Sequence, residues 1–374
     1  MSSKNISTNT GTSTKYGYNN QEVLLKGSVV LCQHGFLGKK RTMNPLFETL
    51  KKNPMCGAFG AVFCEKLLEY SELSPQNPAI LEIKEKITQD PESNVFVRTL
   101  FSNPKYWDVS TQARELKEMI CTIRNNHPNI PIVLVGYSKG GVVNCKCAIE
   151  NEGMIDKIIN VGTPHDDTLV QDLIQIIGNA LKDEFKLFDK IPIKPAQEAI
   201  QYLIDLINSG FDNILNEKVT YKNLRDEWNR MYIRPKFTPI AGEAIVINGE
   251  FNGDFVVPTE SAMATGFRGK TFVDDLSNFI VDDEKVTIST SQIRNAMGDC
   301  SFVLDILSAA SKAILECDVV AIVEALFDII ANVIENDADF KKCLKLAHMS
   351  MLGSNDFLLT HDTIGMRVFA GLNA

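Results

Sequence analysis

Histidine is scarce in this chain, with five in 374 residues. Any chemistry that uses imidazole must therefore draw on His34, His127, His165, His348 or His361. Cysteine is present nine times, an odd number, and no two form a Cys-x-x-Cys pair; Cys145 and Cys147 are one residue apart. That pattern excludes a disulfide framework and points to reduced thiols in a cytosol-like compartment. No Cys/His/Asp cluster has zinc or calcium spacing, so no metal and no cofactor is expected. A Gly-x-x-x-x-Gly-Lys-[Ser/Thr] loop and a dinucleotide fingerprint are both missing, which removes the common phosphate-cradling classes. Basic residues are in deficit: 38 Lys and Arg against 47 Asp and Glu give a formal net charge of -9. A nucleic-acid partner would favour a basic face, so none is expected.

Long uncharged runs are missing too. A transmembrane helix needs about 20 predominantly apolar residues, and no segment supplies them. The opening stretch, "MSSKNISTNTGTSTKYGYNN", is polar and has no apolar core of a secretory signal. Residues 1–20 are expected to be a disordered lead-in, and the location to be cytoplasmic or peripheral to membranes, with secretion by a route read from other signals left open. The remaining composition, 44% hydrophobic and 23% charged, is that of a globular chain able to bury a large core. Nothing in it specifies an oligomeric state.

What is there reads as strands alternating with helices. "GSVVLCQHGFLG" (27–38) is a short buried strand entering a glycine loop, and "VFVRTLF" (95–101) is a second strand. In "VSTQARELKEMICTIRNNHPN", Ala113, Leu116, Ile120 and Ile123 fall at helical spacing, with Ser110 or Thr111 as cap and Pro128 as stop. "IPIVLVGYSKGGVVNCKCAI" is strand, tight turn, helix. "MIDKIINVGTPH" and "FTPIAGEAIVI" (237–247) are further strands. The alternation predicts a largely parallel sheet with helices on both faces.

Two stretches exceed that minimal pattern. Between 166 and 235, Leu169, Leu173, Ile176, Ile177, Ala180 and Leu181 share one helical face, and "AQEAIQYLIDLINSGFDNIL" repeats the pattern. Residues 301–347 contain neither Gly nor Pro. There Asp305, Ser308, Lys312 and Glu316 form a narrow polar stripe, continued by Glu324, Asp328, Asn332 and Glu335. Helices apolar over most of their circumference are core helices or cover something greasy.

The densest chemical signal is "VGYSKGG" (135–141). A serine hydroxyl attacks only when a base takes its proton. Gly-x-Ser-x-Gly between a strand and a helix projects the serine from a sharp turn. Gly136 and Gly140 remove side chains where strand and helix pack closely. The helix start aims N–H groups at a developing oxyanion. The bland alternative is a glycine-rich turn that binds phosphate or nothing. An acyl-transfer site also needs oxyanion donors. The N–H of Lys139 is one, and "QHGFLG" suits the other, with Gly35 freeing the backbone and the Phe36 N–H pointing inward. His34 could be the base, but a histidine in such a loop more often bonds the loop's own backbone.

With "HGFLG", "GYSKGG" and "VGTPH" in this order, each after a strand, the chain resembles the α/β-hydrolase superfamily, within it the lipase and esterase group. The resemblance covers residues 27–165 and resumes around 237–261 and 343–356. It implies a mostly parallel sheet flanked by helices, with a helical cap inserted at about 166–235 and a second helical insertion at about 301–342 of the domain 21–374. It implies the order Ser, acid, His. Ser138 is then the nucleophile. "GDFVVPTESA" resembles the family's Asp-Gly-x-Val-Pro-x-x-Ser-Ala stretch, so Asp254 is the acid, with Phe255 in place of the usual glycine. Glu250, Asp274, Asp275 and Asp282 are the other acids nearby. "LKLAHMSML" resembles the late histidine loop and makes His348 the base, with His361 the alternative. His165 takes the family's structural position and His127 lies in a surface turn. "GTPHDDT" departs from the family's Gly-Thr-Pro-His-x-Gly-Thr at Asp167, which alters the entrance to the cap.

The implied activity is hydrolysis of carboxylic esters of lipids, lipase or phospholipase A-like, on a lipid or acyl-ester substrate at a membrane surface. A thioesterase acting on acyl-protein or acyl-CoA would use the same residues. A non-catalytic scaffold holding a hydrophobic ligand or partner would need only the cavity.

Overall fold

The computed structural model describes residues 26–36, 38–103, 108–166, 221–249, 251–270, 279–289, 291–292, 338–348 and 357–374. The 1–20 lead-in and most of both expected insertions lie outside the described residues.

Five strands carry the centre: β1 (Val29–Gln33), β4 (Asn94–Leu100), β5 (Ile132–Tyr137), β6 (Lys157–Val161) and β7 (Lys236–Gly242). Every residue of β1, β5 and β6 is buried. Strands covered on both faces read as continuous apolar runs rather than alternating ones, which is why "VVLCQ" and "IVLVGY" have no polar side. β2 (Ala61–Phe63), β3 (Leu68–Glu69) and β10 (Ile280–Val281) extend the sheet, with β3 pairing only β4. The order is β10-β7-β6-β5-β1-β4-β2, and every pairing in it is parallel.

Helices cover both faces. Val29, Leu31, Val95, Val97, Ile132 and Leu134 face one core, shared with α3 (Pro78–Gln89), α4 (Val109–Asn126), α5 (Lys139–Glu150) and α6 (Tyr221–Arg230). On the other face lie α1 (Asn44–Lys52), α2 (Met55–Ala58) and α9 (Asp362–Asn373); the short helices α7 (Thr259–Ala262) and α8 (Ala338–Cys343) fall between α6 and α9 in the chain. Its filling is aromatic: Phe96 stacks on Phe63 with centroids 5.0 Å apart and meets Phe369 edge-on at 6.2 Å, and Phe369 stacks on Phe59. A parallel sheet layered by helices on both sides is the α/β-hydrolase architecture expected from the sequence.

Two boundaries differ from the sequence reading. The cap of α4 is Asp108, whose carboxylate accepts the Thr111 N–H at 2.9 Å, rather than Ser110 or Thr111. A carboxylate at that position satisfies an orphan N–H and faces the positive helix end. The stretch 237–247 is two strands, not one. β7 stops at Gly242 and β8 (Ile245–Ile247) joins a separate three-stranded sheet with β9 (Phe251–Gly253) and β11 (Val286–Ile288), in the order β11-β8-β9. β7 ends at a crowded glycine: a Cβ at Gly242 would stand 2.6 Å from Leu358 Cδ1 and 3.1 Å from the Leu346 carbonyl oxygen. The excursion through β8 and β9 returns the chain to Asp254, beside the end of β7.

Candidate active site

Ser138 sits between β5 and α5 with φ 52 and ψ -129. A non-glycine residue there costs about 1–3 kcal/mol and persists only when its surroundings fix it. Here they do: the Ser138 N–H donates to the Val161 carbonyl at 3.0 Å, and its own carbonyl accepts from Gly141 N at 3.0 Å. The glycines around it are explained by contact. A Cβ at Gly136 would lie 2.4 Å from Gly141 Cα, and one at Gly141 would lie 2.1 Å from Thr163 Oγ1. A Cβ at Gly140 would lie 2.6 Å from the carbonyl oxygens of both Gln33 and His34. Strand, helix and the loop after β1 thus meet backbone to backbone.

That loop lies directly against the serine. A Cβ at Gly35 would stand 2.9 Å from Ser138 Cβ and 3.4 Å from its Oγ. Phe36 follows, half-buried, in a turn. His34 is bound up in its own loop: its Nδ1–H donates to its neighbour's carbonyl, Gly35 O, at 2.7 Å, and its ring fills the space over Gly38. Burial pulls its pKa down to about 4, so it is neutral at pH 7.

Asp254 and His348 meet. Their Nδ1–Oδ2 distance is 2.8 Å across 94 positions of sequence. A carboxylate only accepts, so Nδ1–H is the donor of this bond. Asp254 is fully buried, and its other oxygen accepts the N–H groups of Val256 and Val257 at 3.1 and 2.8 Å. The His348 N–H donates to the Asp254 carbonyl at 2.8 Å, so backbone and side chain are tied together. Gly162, at φ 53, leaves the room: a Cβ there would be 3.0 Å from Asp254 Oδ2 and 3.3 Å from His348 Nδ1. On its other side the imidazole stacks on Tyr137, with centroids 5.0 Å apart and 25° between planes. Tyr137 is the residue before Ser138, so the ring that holds the imidazole belongs to the elbow itself.

The remaining candidates are placed elsewhere or otherwise employed. His361 caps α9, its Nδ1 accepting from Thr363 N at 3.3 Å. His165 is fully buried, with its Nδ1–H donating to Ser261 O and its Nε2 accepting from Asn160 Nδ2, both at 3.0 Å. His127 ends α4. Asp282 is exposed and pairs with Lys285 at 2.8 Å. Glu250, Asp274, Asp275 and Asp167 lie outside the described residues. Burial pushes the Cys145 and Cys147 thiols up to about 12, which makes them inert as nucleophiles. Among the described residues no group of His, Cys, Asp and Glu could hold a metal ion, and no helix is long and apolar enough to cross a membrane.

Two neighbours of His348 were not marked by the sequence: Tyr137 lies inside "GYSKGG" and Gly162 inside "VGTPH", but only the fold brings them to the imidazole. Phe255, which stands where the resemblance expects a glycine, adopts φ 76 while fully buried. The Lys139 side chain, for which the sequence suggested no role beside the backbone N–H, is fully buried.

No protein-family model matches the chain, and no curated protein does. Solved structures do. The lin2722 gene product of Listeria innocua is 13% identical, with 78% of this chain and 94% of that one covered and a TM-score of 0.38. The Bacillus licheniformis lipase BlEst2 in its propeptide form is 14% identical, with 76% and 50% covered and a TM-score of 0.36. Its mature form, also 14% identical, gives 77% and 94% with a TM-score of 0.30.

Proposed function

We propose that this chain is a serine hydrolase that cleaves carboxylic esters of lipids through Ser138, His348 and Asp254. The observation that carries the reading is the buried 2.8 Å Asp254–His348 bond, stacked on the residue that precedes a strained serine elbow. A structural histidine has no need of a fully buried carboxylate partner on Nδ1, and a plain turn has no need of a serine at positive φ.

In the proposed cycle His348 Nε2 removes the Ser138 Oγ proton as Oγ attacks the ester carbonyl. The N–H groups of Phe36 and Lys139 receive the oxyanion. His348 returns the proton to the leaving alcohol, and an acyl-Ser138 ester remains. Water, deprotonated by the same imidazole, then attacks the acyl carbonyl, and His348 returns that proton to Ser138 Oγ as the carboxylic acid leaves. Asp254 holds the imidazole tautomer and stabilises the imidazolium throughout. The apolar periodicity in the sequence of 166–235 and 301–342 supports a long acyl chain as the part of the substrate to be covered, and hence a lipase or phospholipase A-like substrate.

The test is fluorophosphonate labelling together with a lipid panel of varied head group and chain length, run on the wild type and Ser138→Ala. Labelling and fatty-acid release in the wild type, both lost in the variant, are expected. Thiol release from acyl-CoA with no fatty acid from any lipid would move the substrate to thioesters. An unlabelled wild type, indistinguishable from Ser138→Ala, would reduce the chain to a hydrolase scaffold.

A further inference from the structure

We propose that the Lys139 side chain is a positioning element that clamps Phe36 and so holds the two oxyanion donors in register. This rests on the serine-hydrolase reading above. Lysine is among the side chains least often fully buried, yet Lys139 has no exposed surface. Its ammonium lies 5.7 Å from the centre of the Phe36 ring, within the range at which a cation is drawn to an aromatic face. Burial strengthens that attraction, since the charge is not screened by water.

The clamp completes a set of contacts. The loop after β1 and the start of α5 touch at two glycines, Gly35 against Ser138 and Gly140 against the Gln33 and His34 carbonyls. Both contacts lie before Phe36 in the chain. The Phe36 N–H belongs to the peptide between Gly35 and Phe36, whose carbonyl end is held by the His34 Nδ1–H at 2.7 Å. The Phe36 ring, held by the ammonium of the residue that supplies the other N–H, braces the same peptide from its far side. The two donors are thereby coupled through one side chain, and preorganised donors lower the barrier because they need not reorient as charge develops.

The test is the rate of p-nitrophenyl ester hydrolysis and of Ser138 labelling by a fluorophosphonate, in Lys139→Met, Lys139→Arg, Phe36→Leu, Phe36→Tyr and Lys139→Met/Phe36→Leu. All variants keep both backbone N–H groups. Lys139→Met and Phe36→Leu should each lower kcat about tenfold, the scale of a desolvated cation–π contact, with KM moved less than about twofold. The double variant should lose no more than either single one, because one interaction is being removed twice. Lys139→Arg and Phe36→Tyr, which keep the charge and the ring, should recover most of the loss. If Lys139→Met does not fold, the Phe36→Leu and Phe36→Tyr pair decides: equal kcat in the two overturns the clamp. Losses that multiply in the double variant, or that fall on KM with kcat intact, also overturn it. A wild type that does not label at Ser138 removes the hydrolase reading and the clamp with it. A labelled wild type matched in rate by Lys139→Met removes the clamp alone.

Discussion

Replacing Phe255 sets two effects against each other, and their sizes fix an unusual order of stability. Phe255 is fully buried and lies at φ 76. Truncating a buried Phe to Ala costs about 3–5 kcal/mol. A Cβ-bearing residue in the left-handed region carries about 1–2 kcal/mol of strain, and Phe and Ala carry it alike. Phe255→Ala therefore loses the burial and keeps the strain, for a net loss of about 3–5 kcal/mol. Phe255→Gly loses the same contacts but sheds the strain, against about 0.5–1 kcal/mol of extra unfolded-state entropy. Burial still outweighs strain relief, so the glycine variant is expected about 2–4 kcal/mol below wild type. The order is wild type, then Gly, then Ala. At an ordinary helical or extended position Ala is the more stable of the two by about 0.5–1 kcal/mol, so the inversion is diagnostic. Urea denaturation monitored by far-UV circular dichroism measures it. A Phe255→Ala protein more stable than Phe255→Gly would refute the strained turn, and a Phe255→Gly protein as stable as wild type would refute the claim that the ring's burial dominates.

Ser138→Gly should be inactive toward fluorophosphonate and yet about 1 kcal/mol more stable than Ser138→Ala, because only glycine tolerates φ 52 without strain; equal thermal midpoints would count against the strained elbow. His361→Ala should lose about 1 kcal/mol with the α9 cap and keep its ester-hydrolysis rate, whereas His348→Ala should lose that rate; the reverse pairing would exchange their roles. His165 is buried with its pKa lowered to about 4, against an ordinary value of 6.5. The unfolded chain therefore takes the proton first, so the stability this ring contributes is complete above pH 6.5 and drains away as pH falls from 6.5 to 4, by up to about 3 kcal/mol in all. Urea midpoints at pH 7 and 4.5 should differ more in wild type than in His165→Gln, and equal differences would refute the assignment.

Local backbone chemistry was legible in the sequence; side-chain partnerships across the sheet were not. The elbow could be read because its constraint lies within five consecutive residues: strand, glycine, serine, glycine, helix. His34 could be read as a loop-bonding histidine because its partner is the next residue. The Asp254–His348 pair was reached through motif resemblance, since nothing within either segment says that residues 94 positions apart are in contact. The stacking of Tyr137 on His348 had no local signal, and neither did the burial of Lys139. A Lys in a strand-to-helix turn reads as solvated until the loop after β1 is known to lie over it. The neighbours that crowd Gly242 at the end of β7 were hidden for the same reason, because they are Leu346 and Leu358.

The strand order locates the site without reference to any motif. From β1 the chain runs outward to β2 and back to β4 on one side, then crosses to β5, β6, β7 and β10 on the other. The connections that leave β1 and β5 therefore diverge to opposite sides of neighbouring strands. Such a switch point opens a crevice at the carboxyl ends of the strands, where ligands bind in open parallel sheets. Phe36 follows β1 and Ser138 follows β5, so both stand at that crevice. Asp254 and His348 reach it by another route: β7 ends at Gly242, the β8–β9 excursion returns Asp254 to the same edge, and the Leu346–Ala347 segment packs His348 onto it. A glycine-rich turn at any other strand end of this sheet would match "GYSKGG" equally well and face no crevice. The combination of switch point and strained serine at one strand end is what favours chemistry over packing at Ser138.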